Sequence, residues 1–510
     1  MTFTQQTPFV DRPELETQPE SCRVSSKPIL NLIDRLCQTL EGENINYCHW
    51  KSNLAIDRSA SGENDLDLLV SRADVGRFTE ILASLGFKQT QVPPFSQLPG
   101  ILNYYGYDLE SDKFVHVHAH YQLVLGHDRT KNYRLPVEEA FLASSQLDRF
   151  FRLPTPEFEF IILVVRLILK YSTWEVLLAG KGKLPQSARQ EFEDLQPRVN
   201  WTQLDENLKT HLPYIDRALF ETCVQSLQLG CPLPTRLQAG RQLLKALQPH
   251  TRQSRLVEAT LKLWRGLTRA AIRRIAGGLP KKSLVSGGVM IALVGGDGAG
   301  KSTAIAQATA WLSREFDTLN VHMGKPPWSL STYLVRATLK VGRLVGGVFG
   351  RPSPSEESAS PVFPGYIRLF QHIFWARDRY RNYIRARRFA NRGGIVLCDR
   401  FPLPDAMVMD GPQIEHQVAP CHRNRWVEGL IQIERNYYRS IVLPDLLLVL
   451  KLDPEIALQR RTDEKAEGVR RRSTEVWNLD WQQTPAFEID ASRPQADVVA
   501  EIKSLIWSVL

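Results

Sequence analysis

Three groups of residues in the second half of the chain have the types and spacing that chemistry needs. The first is Gly295-Gly296-Asp297-Gly298-Ala299-Gly300-Lys301-Ser302-Thr303, set between an apolar run at 290–294 and a helical pattern that opens Ala304-Ile305-Ala306. This is G-x-x-x-x-G-K-[ST] in a strand-to-helix setting. Glycines let backbone N–H groups turn inward around phosphate oxygens, where a Cβ would collide. Lys301 then brings positive charge to the β- and γ-phosphates of ATP, and the Ser302 hydroxyl is placed to bind Mg²⁺ at the helix N-terminus. Gly295, Asp297, Gly298, Ala299, Gly300, Lys301, Ser302 and Thr303 are the expected nucleotide-binding set.

The second group is Asp399-Arg400-Phe401, which ends an apolar strand at 394–398. Asp399 is the expected metal-side carboxylate. Arg400 suits an acceptor phosphate, because a guanidinium meets it with two parallel N–H bonds. The third follows a strand at 444–452: Asp453-Pro454-Glu455, then Arg460, Arg461, Arg470, Arg471 and Arg472 around a polar turn at 462–468. It reads either as a lid that neutralises charge in the transition state or as a solvated pair of charged helices. In the first reading Lys301, Asp399, Arg400, Arg460 and Arg461 do the chemistry of phosphoryl transfer.

A fourth group lies near the start. Asp65 and Asp67 alternate at the beginning of the strand-like run 66–70, so their carboxylates point to one side. His116, His118 and His120 alternate in the same way, which makes a half-buried strand with either an exposed polar face or a zinc site.

The elements that must hold these groups fall into two units. Residues 1–27 are polar and rich in Pro, Gln, Glu and Thr, the composition of a disordered tail. A helix at 29–40, strands at 45–50, 66–70 and 114–120 and a helix at 73–85 predict an α/β unit over 28–140. Residues 141–260 read as a helical extension, and 261–286 as a basic helix with seven basic and no acidic side chains over 262–282. That helix is either a linker or an amphipathic element at a membrane surface. Beyond 287, strand, glycine loop, long helix and further strands alternate as in a doubly wound parallel sheet. The Pro/Ser-rich 351–363 reads as a mobile loop.

Composition sets outer bounds. With 510 residues, 43% hydrophobic and 23% charged, the chain is neither disordered nor a disulfide miniprotein. Seven cysteines without a Cys-x-x-Cys pair fit reduced thiols, mostly in the core. The longest apolar run, 158–169, is broken by Glu159 and Arg166 and is shorter than the ~20 residues of a membrane span. The N-terminus lacks a secretory pattern, so a cytoplasmic protein is expected. A net charge of +9 favours polyanionic ligands without choosing among them, and no nucleic-acid recognition module is visible.

Residues 289–510 resemble the thymidylate kinase family of P-loop nucleoside-monophosphate kinases. The loop residues Gly295, Asp297, Gly298, Gly300, Lys301, Ser302 and Thr303 match, as does Asp399-Arg400-Phe401. Leu369-Phe370 and Ala376-Arg377-Asp378-Arg379 look like a further family segment, with Arg379 at the family's spacing from Arg400. The resemblance implies that Arg379, Arg400 and Phe401 hold the acceptor. Val294 replaces a family glutamate, Pro402-Leu403-Pro404-Asp405 replaces the family's thymine-side residues, and Gly324-Lys325-Pro326-Pro327-Trp328 stands for its Arg-Pro-Gly segment. A long insertion to Pro364 contains the apolar, basic stretch 333–349. Donor residues are retained while the acceptor pocket is rebuilt.

Residues 28–250 resemble the nucleotidyltransferase superfamily through His49-Trp50-Lys51-Ser52-Asn53, Asp65-Leu66-Asp67 and the tail His118-Ala119-His120-Tyr121-Gln122-Leu123. The resemblance implies that Asp65 and Asp67 share Mg²⁺, while His118 stands where the family has a third acid and Lys51-Ser52 replaces Lys-Gly. The combined expectation is an ATP- and Mg²⁺-dependent phosphotransferase with a small-molecule acceptor, dTMP or another nucleoside monophosphate. A phosphosugar kinase and a non-catalytic nucleotide sensor at a membrane are the alternatives, and a homodimer is left open.

Overall fold

The computed structural model describes residues 29–173, 183–330, 332–334, 337, 363–403, 411–462, 466–481 and 485–510. The expected tail at 1–27, nearly all of the stretches 333–349 and 351–363, the acceptor-side residues 404–410 and the lid-turn residues 463–465 lie outside them.

Two sheets carry the fold. The first has six strands: β1 (Tyr47–His49), β2 (Leu66–Val70), β3 (Lys88–Gln91), β4 (Ile101–Asp108), β5 (Lys113–His120) and β10 (Ser283–Leu284), in the order β1-β2-β5-β4-β3-β10. Only β2 and β5 run parallel, with Asp67 opposite His118. Two small hairpins, β6 (Leu123–Leu125) with β7 (Tyr133–Leu135) and β8 (Gln146–Asp148) with β9 (Phe151–Leu153), flank it. The second sheet is parallel throughout: β11 (Met290–Gly295), β12 (Thr318–His322), β13 (Ile395–Asp399), β14 (Leu446–Lys451) and β15 (Ala486–Asp490), in the order β12-β13-β11-β14-β15.

Among the described residues, helices of seven residues or more are α1 (Asn31–Gly42), α2 (Val75–Ser84), α3 (Pro156–Tyr171), α4 (Gln186–Leu195), α5 (Trp201–His211), α6 (Arg217–Leu227), α7 (Leu233–Ala246), α8 (Arg255–Ala276), α9 (Lys301–Leu312), α10 (Tyr366–Ala390), α11 (Arg425–Arg439), α12 (Pro454–Arg460), α13 (Ala466–Asn478) and α14 (Gln495–Val509). The central strands β11, β13 and β14 read as nearly unbroken apolar runs because a parallel sheet is covered on both faces. Helix α3 is apolar on almost every side for the same reason, since α4, α5, α6 and α7 surround it. No described helix is long and apolar enough to cross a membrane.

The seam between the two sheets is a shared core. Tyr105 and Tyr107 of β4 pack with Trp311, Phe316 and Trp507 from the second half. Ser283 and Leu284, inside the segment read from sequence as a linker, form β10 and complete the first sheet against β3. Trp507 Nε1 donates to Gly86 O at 3.1 Å, and Lys503 pairs with Asp112 at 2.6 Å.

Helix α8 is inverted relative to an ordinary surface helix. Its polar side faces the body: buried Glu258 accepts from Thr130 and Asn132, Arg265 donates to Arg129 O, and Arg269 Nη2 donates to Ser96 Oγ at 3.1 Å. Its apolar residues Leu256, Leu263, Trp264, Leu267 and Ile275 face outward. The six described cysteines are free thiols, buried except for Cys231 and the exposed Cys421.

Candidate functional site

Strand β11 ends at Gly295 and α9 begins at Lys301, so residues 296–300 form a turn at the C-terminal edge of the parallel sheet. The turn is tight on both sides. A Cβ on Gly296 would lie 2.9 Å from Ser473 Cα on α13, and Gly298 holds φ +75°, a backbone state other residues rarely adopt. Ala299 is buried beneath the loop, while Ser302 and Thr303 are exposed on the first turn of α9. Lys301 Nζ lies across the loop, donating to Gly295 O at 2.9 Å and Gly296 O at 2.7 Å.

Neighbouring strands bring the other expected residues to this edge. Leu293 of β11 is level with Asp399 of β13, and β14 leads into α12 on the opposite side. The Asp399 Oδ1 atom is buried and has no hydrogen-bond partner among the described residues, and its Oδ2 lies 3.8 Å from His322 Nε2 at the end of β12. Buried carboxylate oxygens are nearly always paired, so an orphaned one beside a phosphate-type loop fits a divalent cation. Ser302 and Asp399 are the residues that would hold Mg²⁺ there. Arg400, next in the chain, sits at φ +55° and makes no side-chain hydrogen bond or ion pair among the described residues. Such strain in a non-glycine residue, of order 1–3 kcal/mol, clusters at functional sites.

The arginine-rich segment closes on the loop from the far side. Arg472 pairs with Asp297, Arg460 Nη1 donates to Ala491 O at 3.0 Å and reaches Gly298 O at 3.5 Å, and the Arg461 side chain borders Gly298. Arg470 points away, to Glu455. Two acceptor-side residues sit differently from the expectation drawn from resemblance. Phe401 is 1% exposed and packs in the core with Met290, Val321 and Cys398, because the chain turns inward after the strained Arg400. Arg379 is buried too, with its Nε donating to Met323 O at 2.7 Å and Nη1 to the Tyr438 hydroxyl. In this conformation both belong to the wall behind the site. Sequence reading passed over His322, whose signal was its place at the C-terminal end of a parallel strand.

A second constellation lies in the first half. The parallel register of β2 and β5 sets Asp65 and Asp67 against His116, His118 and His120. Burial pushes the Asp67 carboxyl up, but Lys51 Nζ at 2.8 Å and bonds from His118 and His120 outweigh it and hold the group well below the usual range. Burial pulls His116 down to about 4 and His120 to about 3, against the attraction of Asp65 and Asp67. A cavity of about 380 Å³ opens beside Asp65, His116 and His118, and it is walled by Asn103, Tyr105, Lys282 and Glu315. Lys282 and Glu315 come from the linker segment and the second half, which is why the sequence alone does not reveal the pocket's roof.

No family model matches the chain. It is similar to two uncharacterized ATP-binding proteins of Escherichia coli (strain K12), YghS and YghR. YghS is 24% identical over 223 residues, which is 41% of this chain and 89% of that protein. YghR is 25% identical over 232 residues, 44% of this chain and 89% of that protein. It is also similar to a thymidylate kinase of Symbiobacterium thermophilum, 27% identical over 44% of this chain and 94% of the enzyme. These likenesses support a P-loop kinase-like region in a mixed α/β chain.

Proposed function

We propose that the second half is an ATP-dependent phosphotransferase acting on a small acceptor. The observation that carries this reading is that Asp399, whose Oδ1 is buried and has no partner among the described residues, ends the strand beside the one that leads into the 295–303 loop. The relatives, two named as ATP-binding proteins and one as a thymidylate kinase, point the same way. An acceptor oxygen attacks the γ-phosphorus in line, the bond to the β-bridging oxygen breaks, and ADP leaves. The loop N–H groups and Lys301 hold the phosphates, which requires Lys301 Nζ to exchange its two carbonyl partners for phosphate oxygens. Bound Mg²⁺ would neutralise the β- and γ-oxygens. In this reading Arg400 orients the acceptor, and Arg460, Arg461 and Arg472 exchange their present partners to neutralise charge that develops in the transition state. dTMP or another nucleoside monophosphate is the acceptor by resemblance. The inward turn of Phe401 and the ties of Arg379 favour testing phosphosugars beside it.

The test is ATP consumption with Mg²⁺ against nucleoside monophosphates, sugars and sugar phosphates, with Lys301→Ala as control. Turnover that disappears in the control supports the reading. ATP binding with no turnover on any acceptor overturns it.

The outward apolar stripe of α8 supports a second, compatible reading, docking on an anionic membrane surface. Exposed Arg255, Arg273 and Arg274 flank Leu263, Trp264 and Leu267, the arrangement of an interfacial helix. Co-sedimentation with phosphatidylglycerol vesicles, lost in Trp264→Ser/Leu267→Ser and at high salt, is expected. Equal sedimentation of the double variant refutes it.

A further inference from the structure

The cavity in the first half holds a ligand set different from the paired carboxylates that the nucleotidyltransferase resemblance implies. Asp65, His116 and His118 each offer a ligand atom, and these atoms lie within 4.8 Å of one another. Asp67 is otherwise occupied. Its Oδ1 meets Lys51 Nζ at 2.8 Å and His118 Nδ1 at 3.2 Å, so a lysine ammonium already fills the place of a cation on that side. The pair Asp65 and Asp67 therefore does not fit a shared Mg²⁺ ion.

The hydrogen bonding of His116 points to a cation elsewhere. Its Nε2 is 3.1 Å from Asn103 Oδ1, and its Nδ1 is 2.9 Å from Asp65 Oδ1. Both neighbours are oxygen acceptors, and a neutral imidazole has a single N–H. With that proton given to Asn103, the Nδ1 lone pair and the Asp65 carboxylate converge on one point, as first ligands do around a metal while a polar neighbour fixes the tautomer. The Tyr105 ring stacks on His116 at 4.2 Å and 13°, holding the imidazole plane. His118 Nδ1 is 3.6 Å from Asp65 Oδ2 and can join once its proton rests on Nε2.

One carboxylate and two imidazoles are a poor match for Mg²⁺, which prefers oxygen donors in a regular octahedron, and a good one for borderline ions. We propose that Asp65, His116 and His118 bind one divalent transition-metal ion of the zinc class, with its remaining coordination positions facing the cavity beneath Lys282 and Glu315. This site is independent of the phosphotransferase reading. Each residue has a defined part: Asp65 supplies charge, the two histidines supply nitrogen donors, and Asn103 and Tyr105 are positioning residues.

The experiment uses the full chain, stripped with chelator and free of nucleotide, so that the 295–303 loop holds no metal–ATP complex. Titration with Zn²⁺ by calorimetry and with Co²⁺ by visible absorption is expected to give one saturable site per chain. The Co²⁺ spectrum should show nitrogen and oxygen ligation without a thiolate charge-transfer band. His116→Ala/His118→Ala should abolish that site. Asn103→Ala should weaken it about 10–100-fold, the usual effect of removing an outer partner of a ligating histidine. Asp65→Asn, isosteric and exposed enough to fold, guards against collapse of the double variant, and Lys301→Ala should bind metal like the parent chain. Absence of a saturable Zn²⁺ or Co²⁺ site, a site that survives in Asp65→Asn and the double histidine variant, or a thiolate band would each overturn the proposal.

Discussion

Replacing Asp399 by Asn should make the protein more stable and less able to use ATP. The Asp399 Oδ1 atom is buried without a partner among the described residues, and Oδ2 is 3.8 Å from His322 Nε2, beyond hydrogen-bond range. Leaving a buried polar group unsatisfied costs about 1–3 kcal/mol, and more when it is charged. Asp399→Asn keeps the shape and removes the charge but leaves an amide atom at the same place, so only the part of that cost due to the charge, about 1 kcal/mol, should be recovered. For a folded unit larger than a 150–250-residue domain, in which 1 kcal/mol shifts Tm by about 2–4 °C, that corresponds to a rise in Tm of about 1–2 °C. Saturating ligand should reverse the ranking. A ligand at a hundredfold its Kd adds about 2.7 kcal/mol to the native state, and the part of this that depends on Mg²⁺ should be missing from the variant. The assay is differential scanning fluorimetry of both proteins in four conditions: no additive, Mg²⁺, ATP with chelator, and ATP with Mg²⁺. A variant that melts lower than the parent without ligand, or that keeps the parent's Mg²⁺-dependent shift with ATP, would refute the assignment of Asp399 as a carboxylate held ready for a cation.

Two further outcomes concern stability. Burial, reinforced by Glu191, pushes Glu159 from the ordinary 4.5 up to about 7. The folded state therefore holds this proton more tightly than the unfolded chain. Its contribution is full below about 4.5 and is lost as pH rises to about 7, at about 1.4 kcal/mol per tenfold difference in proton affinity. Glu159→Gln should raise Tm at pH 8 and change it little at pH 5, and an equal effect at both values would contradict this. Trp507→Ala removes a side chain that packs against Tyr107, Phe114 and Trp311 and bonds Gly86 O. A loss of about 3–5 kcal/mol is expected. Calorimetry should show a single melting transition in both chains, at a clearly lower temperature in the variant, whereas two separate transitions or an unshifted one would count against a shared core.

The phosphate loop was legible because its chemistry is local. Strand, glycines, lysine and helix lie within about twenty residues, and each part constrains the backbone of the next. Asp399 and Arg400 were legible for a related reason, since a parallel strand that ends in an acid must deliver it to the sheet's C-terminal edge, where the loop also lies. The orientation of side chains after that point was not legible. Phe401 looks the same in sequence whether it faces an acceptor or the core, and only the packing of Met290, Val321 and Cys398 decides. Strands β3 and β4 escaped notice because Lys88, Gln89 and Gln91 give no apolar alternation, and β4 reads IL-N-YY-G-YD, with aromatic residues on both faces. Helix α8 misled in a different way. Its amphipathic pattern was correctly visible, but periodicity gives no sign of which face meets the body, and here buried partners such as Thr130 and Asn132 draw the polar face inward.

The seam explains why a break between the halves cannot be placed at the apparent linker. Helix α9 starts at Lys301 in the phosphate loop and ends at Leu312, a rod of about 18 Å at 1.5 Å per residue. Just beyond it, Glu315 accepts from Tyr105 Oη at 2.6 Å and from Lys282 Nζ at 2.9 Å, and Tyr105 in turn stacks on His116. One rigid element thus fixes the loop at one end and the roof of the histidine cavity at the other. Cutting the chain between α8 and β10 would strip β3 of its edge partner β10 and leave Tyr105, Tyr107 and Phe114 facing water. It would also leave Trp311, Phe316 and Trp507 without their packing surface. An exposed strand edge beside an aromatic patch promotes aggregation, so neither fragment has the surface of an independent domain. The two sites belong to a single folded unit, and each half supplies a wall of the other's core.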